Sequence, residues 1–173
     1  MRNDFPAEIV EPLCGAIGHM VHSWSYVEAC LDYNVAIIFQ AAGGRHLDDQ
    51  IPQALGRKIK FLRRCFRQID ALKPFAEEAL PYLDKANHLS ELRHIVVHGY
   101  ASKYDEHNQS FRFVRLNLID GRTMHKAVES WIPVRKLLDE AIDCQELHRK
   151  LISFTDRLLE ALVPEYEGNE LIR

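Results

Sequence analysis

The chain has 173 residues, 47% of them hydrophobic and 27% charged, and a formal net charge of -3. That length fits a single domain with a substantial core, and no apolar run approaches the roughly 18 to 20 residues of a membrane span, so no membrane partner is expected. The negative balance argues against a generally polyanion-binding surface, so any nucleic-acid contact has to come from a local basic patch.

Residues 1–6 carry an acidic side chain and lead into no apolar run of the secretory kind, which sets the expected location as cytoplasmic. Cys14, Cys30, Cys65 and Cys144 lie far apart and form no C-x-x-C pair, so they read as reduced thiols packed within helices.

The first predicted helix runs from Glu11 to Gln40. Leu13, Ile17, Val21, Trp24, Leu31 and Val35 recur there at helical spacing until Gly43-Gly44 interrupts them. Glu28 falls inside that apolar stripe, where a charged carboxylate needs a partner. The second helix, Pro52 to Leu72, separates into two faces. Leu55, Ile59, Leu62, Phe66, Ile69 and Leu72 lie on one side, and Arg57, Lys60, Arg63, Arg64 and Arg67 on the other. With Lys58 there are six positive charges and no negative one between positions 57 and 67. Such a face can follow a phosphate backbone independently of base sequence, which makes these five residues the candidate RNA-binding set.

A third helix, Glu77 to His98, is expected to end at Gly99, the residue type that best accepts a left-handed conformation after a helix. From Phe111 to Leu118 the pattern alternates in part with period two, and Asp120-Gly121 follows as a turn signal, which predicts a β-hairpin over about 110–130. Pro133 opens a last helix, Val134 to Val163, with Leu137, Ala141, Cys144, Leu147, Leu151 and Leu158 along one stripe, and the tail after Pro164 is expected to fray. The expected fold is thus mainly all-α, a single domain with its core between about 11 and 163: an up-and-down four-helix bundle with a short hairpin inserted before the last helix.

The most specific feature is Leu92-Arg93-His94-Ile95-Val96-Val97-His98-Gly99, an R-x4-H pattern at the end of an apolar helix. It resembles the signature of the HEPN superfamily, an arginine usually followed by Asn, Asp or His, with a histidine four to six residues beyond. His22-Ser-Trp-Ser-Tyr-Val-Glu28 resembles the tryptophan-and-glutamate pattern near the start of many small bacterial HEPN-like proteins, and the order of helices is similar over most of the chain. The resemblance implies a homodimer with a composite site and metal-independent RNA cleavage through 2′-hydroxyl attack, as in a toxin or defence effector held by an antitoxin protein. It equally admits a non-catalytic module that binds a nucleotide or a protein partner.

Histidine suits proton transfer because it titrates near neutrality. Arginine suits a phosphate because its guanidinium stays charged and can bind two oxygens at once. The expected roles are proton transfer for His98, phosphate stabilisation for Arg93, a positioning or polarising part for His94, and orientation of Arg93 by Glu28. Residues five apart on a helix are separated by about 140°, so Arg93 and His98 do not share a face, whereas His94 and His98 do. A working site therefore calls for a second subunit packed on the third helix. His94 and His98 have the spacing of a zinc pair, but the Glu of an H-E-x-x-H motif is missing, and neither metal nor cofactor is expected.

Overall fold

The structure is a computed structural model that describes residues 5–118 and 125–163. Four α-helices are present, α1 (Ala7–Ala41), α2 (Leu55–Gln68), α3 (Ala76–His98) and α4 (Val134–Leu162), with strands β1 (Tyr100–Asp105), β2 (Ser110–Leu118) and β3 (His125–Pro133) preceding α4. None of the described helices is long and apolar enough to cross a membrane. The described residues divide into two compact units, one of 5–25, 88–118 and 125–145, the other of 26–87 and 146–163.

In the first unit, Leu13 and Met20 of α1, Leu92 and Val96 of α3, Phe111 and Phe113 of β2, Ile132 of β3 and Leu137 of α4 share one apolar core. Ile9 also packs there, which gives a reason for α1 to start at Ala7 rather than at the expected Glu11. The predicted hairpin is part of a larger element, a three-stranded antiparallel sheet in the order β1-β2-β3. β1 pairs with β2 from Tyr100↔Val114 to Asp105↔Ser110, with an irregularity between Ala101 and Lys103, and β2 pairs with β3 through nine residue pairs. The expected Asp120-Gly121 turn and the tail after Pro164 lie outside the described residues.

The second unit is helical throughout. Phe154 of α4 stands edge-on to Phe66 of α2 and to Phe75 and Tyr82, with ring centroids 5.8 to 6.0 Å apart. Buried Asn34 on α1 donates to the Thr155 hydroxyl at 2.7 Å, tying α1 to α4. Two of the thiols in this unit fit the expectation of packed cysteines, since burial pushes Cys30 up to about 11 and Cys65 up to about 12; Cys144 of the first unit is also buried, but Cys14 is exposed.

α2 is shorter than the pattern predicts. Residues 52–54 precede the helix, Ile69 is extended at φ -91° and ψ 119°, and a 3-10 turn covers Asp70–Phe75. Pro74 lies inside this turn and keeps α2 from running straight on into α3, because proline brings no N–H and its ring collides with the carbonyl four residues back in a continuing helix. Leu72 is nonetheless fully buried, as the helical wheel requires.

The two helix-ending glycines work differently. Gly43 takes the left-handed conformation, φ 79°, beyond the end of α1. Gly99, expected to do the same after α3, has no positive φ. It is needed for closeness: a Cβ at position 99 would lie 2.6 Å from the Ile95 carbonyl oxygen and 3.2 Å from that of Val114 on β2. Gly99→Ala is therefore expected to lower unfolding stability by about 1–3 kcal/mol, the usual cost of forcing backbone apart in a packed region. A denaturation midpoint equal to that of the wild type would show that the approach is not tight.

Candidate functional site

The last turn of α3 presents Arg93, His94 and His98. The two imidazoles are one helical turn apart, and their rings meet edge to face at 4.6 Å between centroids and 60° between planes. Both histidines are exposed at the end of the helix, while Arg93 is half-buried on the flank of the apolar side. The Nε of Arg93 is buried and has no hydrogen-bond partner.

β2 adds a residue that the sequence did not single out. Phe111 and Phe113 point into the core that contains Leu92 and Val96 of α3, and the two-residue period of a strand places Arg115 on the same side. Its Nε is likewise buried without a partner. Partial burial first, then the charges of Arg115, His98 and Arg93, hold the His94 imidazole below its ordinary value. Among the described residues no carboxylate is one of these influences.

A cationic helix C-terminus by itself is unremarkable, since positive side chains there gain about 0.3–1 kcal/mol from the helix dipole. That preference accounts for charge. It does not account for two guanidinium nitrogens, from two different elements, removed from water with nothing to donate to.

Glu28 belongs to the second unit. Its Oε1 lies 3.9 Å from Lys58 Nζ, and that buried ammonium also pairs with Asp32. The sequence pattern had counted Lys58 with the basic run of α2; its side chain is instead enclosed and neutralised.

The remaining cations of α2 divide further. Lys60, Arg63, Arg64 and Arg67 line a groove of about 440 Å³, together with Gln68 and with Asn87 of α3. Within it Arg63 pairs with Asp84, whereas Nε and Nη2 of Arg64 are buried without hydrogen-bond partners. Arg57 does not line this groove and stands 4.0 Å from Asp48.

Among the described residues no group of three His, Cys, Asp or Glu is arranged to hold a metal ion. What the α3 cluster offers is a donor-rich face with two arginines and two imidazoles, which is chemistry suited to an anion carrying several oxygens. No known protein family, curated protein or solved structure matches the chain.

The depressed affinity of His94 for its proton has a definite sign. The unfolded chain takes up the proton more readily than the folded one, so stability is greatest above the unfolded value and falls as pH drops through that range. Burial lowers His148 as well, and it acts in the same direction. In an NMR titration the His94 ring is expected to show a midpoint below 6.5. A midpoint at or above that value would mean that neither its partial burial nor the neighbouring charges bear on it.

Proposed function

We propose that the chain is a HEPN-type helical protein that cleaves RNA without metal, at a site shared between two copies packed along α3. The observation that carries this reading is the cationic cluster at the end of α3. Arg93 has a buried unpartnered nitrogen, and beside it His94 and His98 sit in mutual contact at 4.6 Å. His94, Val97 and His98 are all exposed along that last turn, the face a second copy would need.

In the proposed reaction His98 accepts the proton of the 2′-hydroxyl as the O2′–P bond forms. Arg93 donates hydrogen bonds to the phosphate oxygens on which charge accumulates. The P–O5′ bond breaks, and the 5′-oxygen takes its proton from the imidazolium of His98 in the second copy. His94, whose proton affinity is lowered first by partial burial and then by the neighbouring charges, orients the adjacent imidazole. Glu28, paired with Lys58, supports the helical frame. The α2 groove, with Lys60, Arg63, Arg64 and Arg67, offers a separate surface for the phosphate backbone. Cleavage of cellular RNA by such a site fits a toxin or defence effector, with an antitoxin protein as its partner.

Purified protein is expected to cut RNA in the presence of EDTA, with His98→Ala lowering the rate by about 10²-fold or more, the usual loss of a general acid–base group. Cleavage that disappears with EDTA contradicts the reading. RNA binding without cleavage would instead favour a non-catalytic module of the same type.

A further inference from the structure

We infer that Arg115, on the central strand of the sheet, is a second phosphate-binding arginine of the α3 site, set beside Arg93 to grip the non-bridging oxygens of a phosphodiester. The inference rests on the RNA-cleaving reading for its substrate, and on the placement of Arg115 for its residue.

Three observations place Arg115 there. Tyr100, two residues beyond His98, pairs in register with Val114, the neighbour of Arg115. Between them Gly99 brings the end of α3 so near β2 that a Cβ would lie 3.2 Å from the Val114 carbonyl oxygen. Arg115 then projects from the core-facing side of β2, the side of Phe111 and Phe113, which pack with Leu92 and Val96 of the same helix.

The donors have the chemistry of an anion site. Arg93 and Arg115 each hold a buried Nε with no acceptor. Neither arginine forms an ion pair among the described residues, in contrast to Arg112 on the same strand, which pairs with Glu129 at 3.2 Å. Two like charges brought together without a carboxylate repel one another, and desolvation adds to the cost. An anion with several oxygens relieves both costs by accepting from both guanidinium groups. A phosphate fits better than a carboxylate, because its oxygens project in more directions than one plane.

Inorganic phosphate serves as the probe, with the ring resonances of His94 and His98 followed by NMR. Wild-type protein is expected to show a saturable shift. Arg115→Ala is expected to weaken the apparent affinity at least tenfold, and Arg115→Lys, which keeps the charge but not the fork, to give an intermediate value. Arg135→Ala removes a charge from an exposed position on α4, where Arg135 pairs with Asp139 at 2.9 Å, and should leave the shift unchanged. Equal affinities in wild type and Arg115→Ala, or no saturable shift in the wild type, would overturn the inference. The inference and the nuclease reading fail separately. Phosphate binding through Arg115 in a protein that does not cut RNA sinks only the nuclease. EDTA-resistant cleavage with unchanged kcat and KM in Arg115→Ala sinks only the role of Arg115.

Discussion

The tight passage at Gly99 is the constraint on which the candidate site depends. Its N–H donates to the Ile95 carbonyl at 2.8 Å, which completes the last turn of α3. The next residue already pairs with Val114 in the sheet. Helix therefore turns into strand with no intervening loop, and the missing side chain is what allows the two backbones to meet. Because the strand is anchored there, Arg115 is held beside a helix end that carries Arg93, His94 and His98. A longer or looser connection would leave the strand arginine without a defined relation to the imidazoles.

The charges of the second unit show how unusual that cluster is. Arg157 makes two hydrogen bonds of 2.6 Å to the carboxylate of Glu78, and the arginine is the main reason that carboxyl stays below its usual range. Both side chains are nearly half exposed, so solvent screens the pair and it adds little stability. Lys58 is matched by Glu28 and Asp32, and Arg63 by Asp84. Each of these three cations meets a carboxylate. At the end of α3, Arg93 and Arg115 have no such partner among the described residues. Leaving a buried donor unsatisfied costs about 1–3 kcal/mol, a cost that a binding site recovers when its anion arrives. Arg64 in the α2 groove shares this property, with both Nε and Nη2 buried and unpartnered.

The helices were legible because their apolar residues recur every three to four positions over long stretches, and because Gly43 and Pro133 mark boundaries. Residue identity could not show that Gly99 serves close packing rather than a left-handed turn, since glycine permits both. The first strand escaped notice for a similar reason. Tyr100–Asp105 is only partly buried and contains Lys103 and Asp105, so its hydrophobicity does not alternate cleanly, and it is a strand because β2 offers it a ladder. The R-x4-H segment was readable as a motif, and the wheel already showed its arginine diverging from its histidines. Arg115 was not, because its relation to His94 arises from strand register and from the contact of β2 with α3. Strict alternation within Phe111-Arg-Phe-Val-Arg puts Arg115 on the side of the two phenylalanines, which is the one signal that could have raised it. Lys58 illustrates the opposite error: counted with a basic run, it is removed from that run by two acidic residues on another helix.

The central claim is that RNA phosphate is received by the cluster where α3 meets β2. Binding of a dinucleotide with a 2′-O-methyl group, which cannot attack its own phosphate, can be mapped residue by residue through NMR shift changes. The account predicts that the largest changes centre on Arg93, His94, His98 and Arg115. Saturable binding that leaves these four residues unmoved would contradict it.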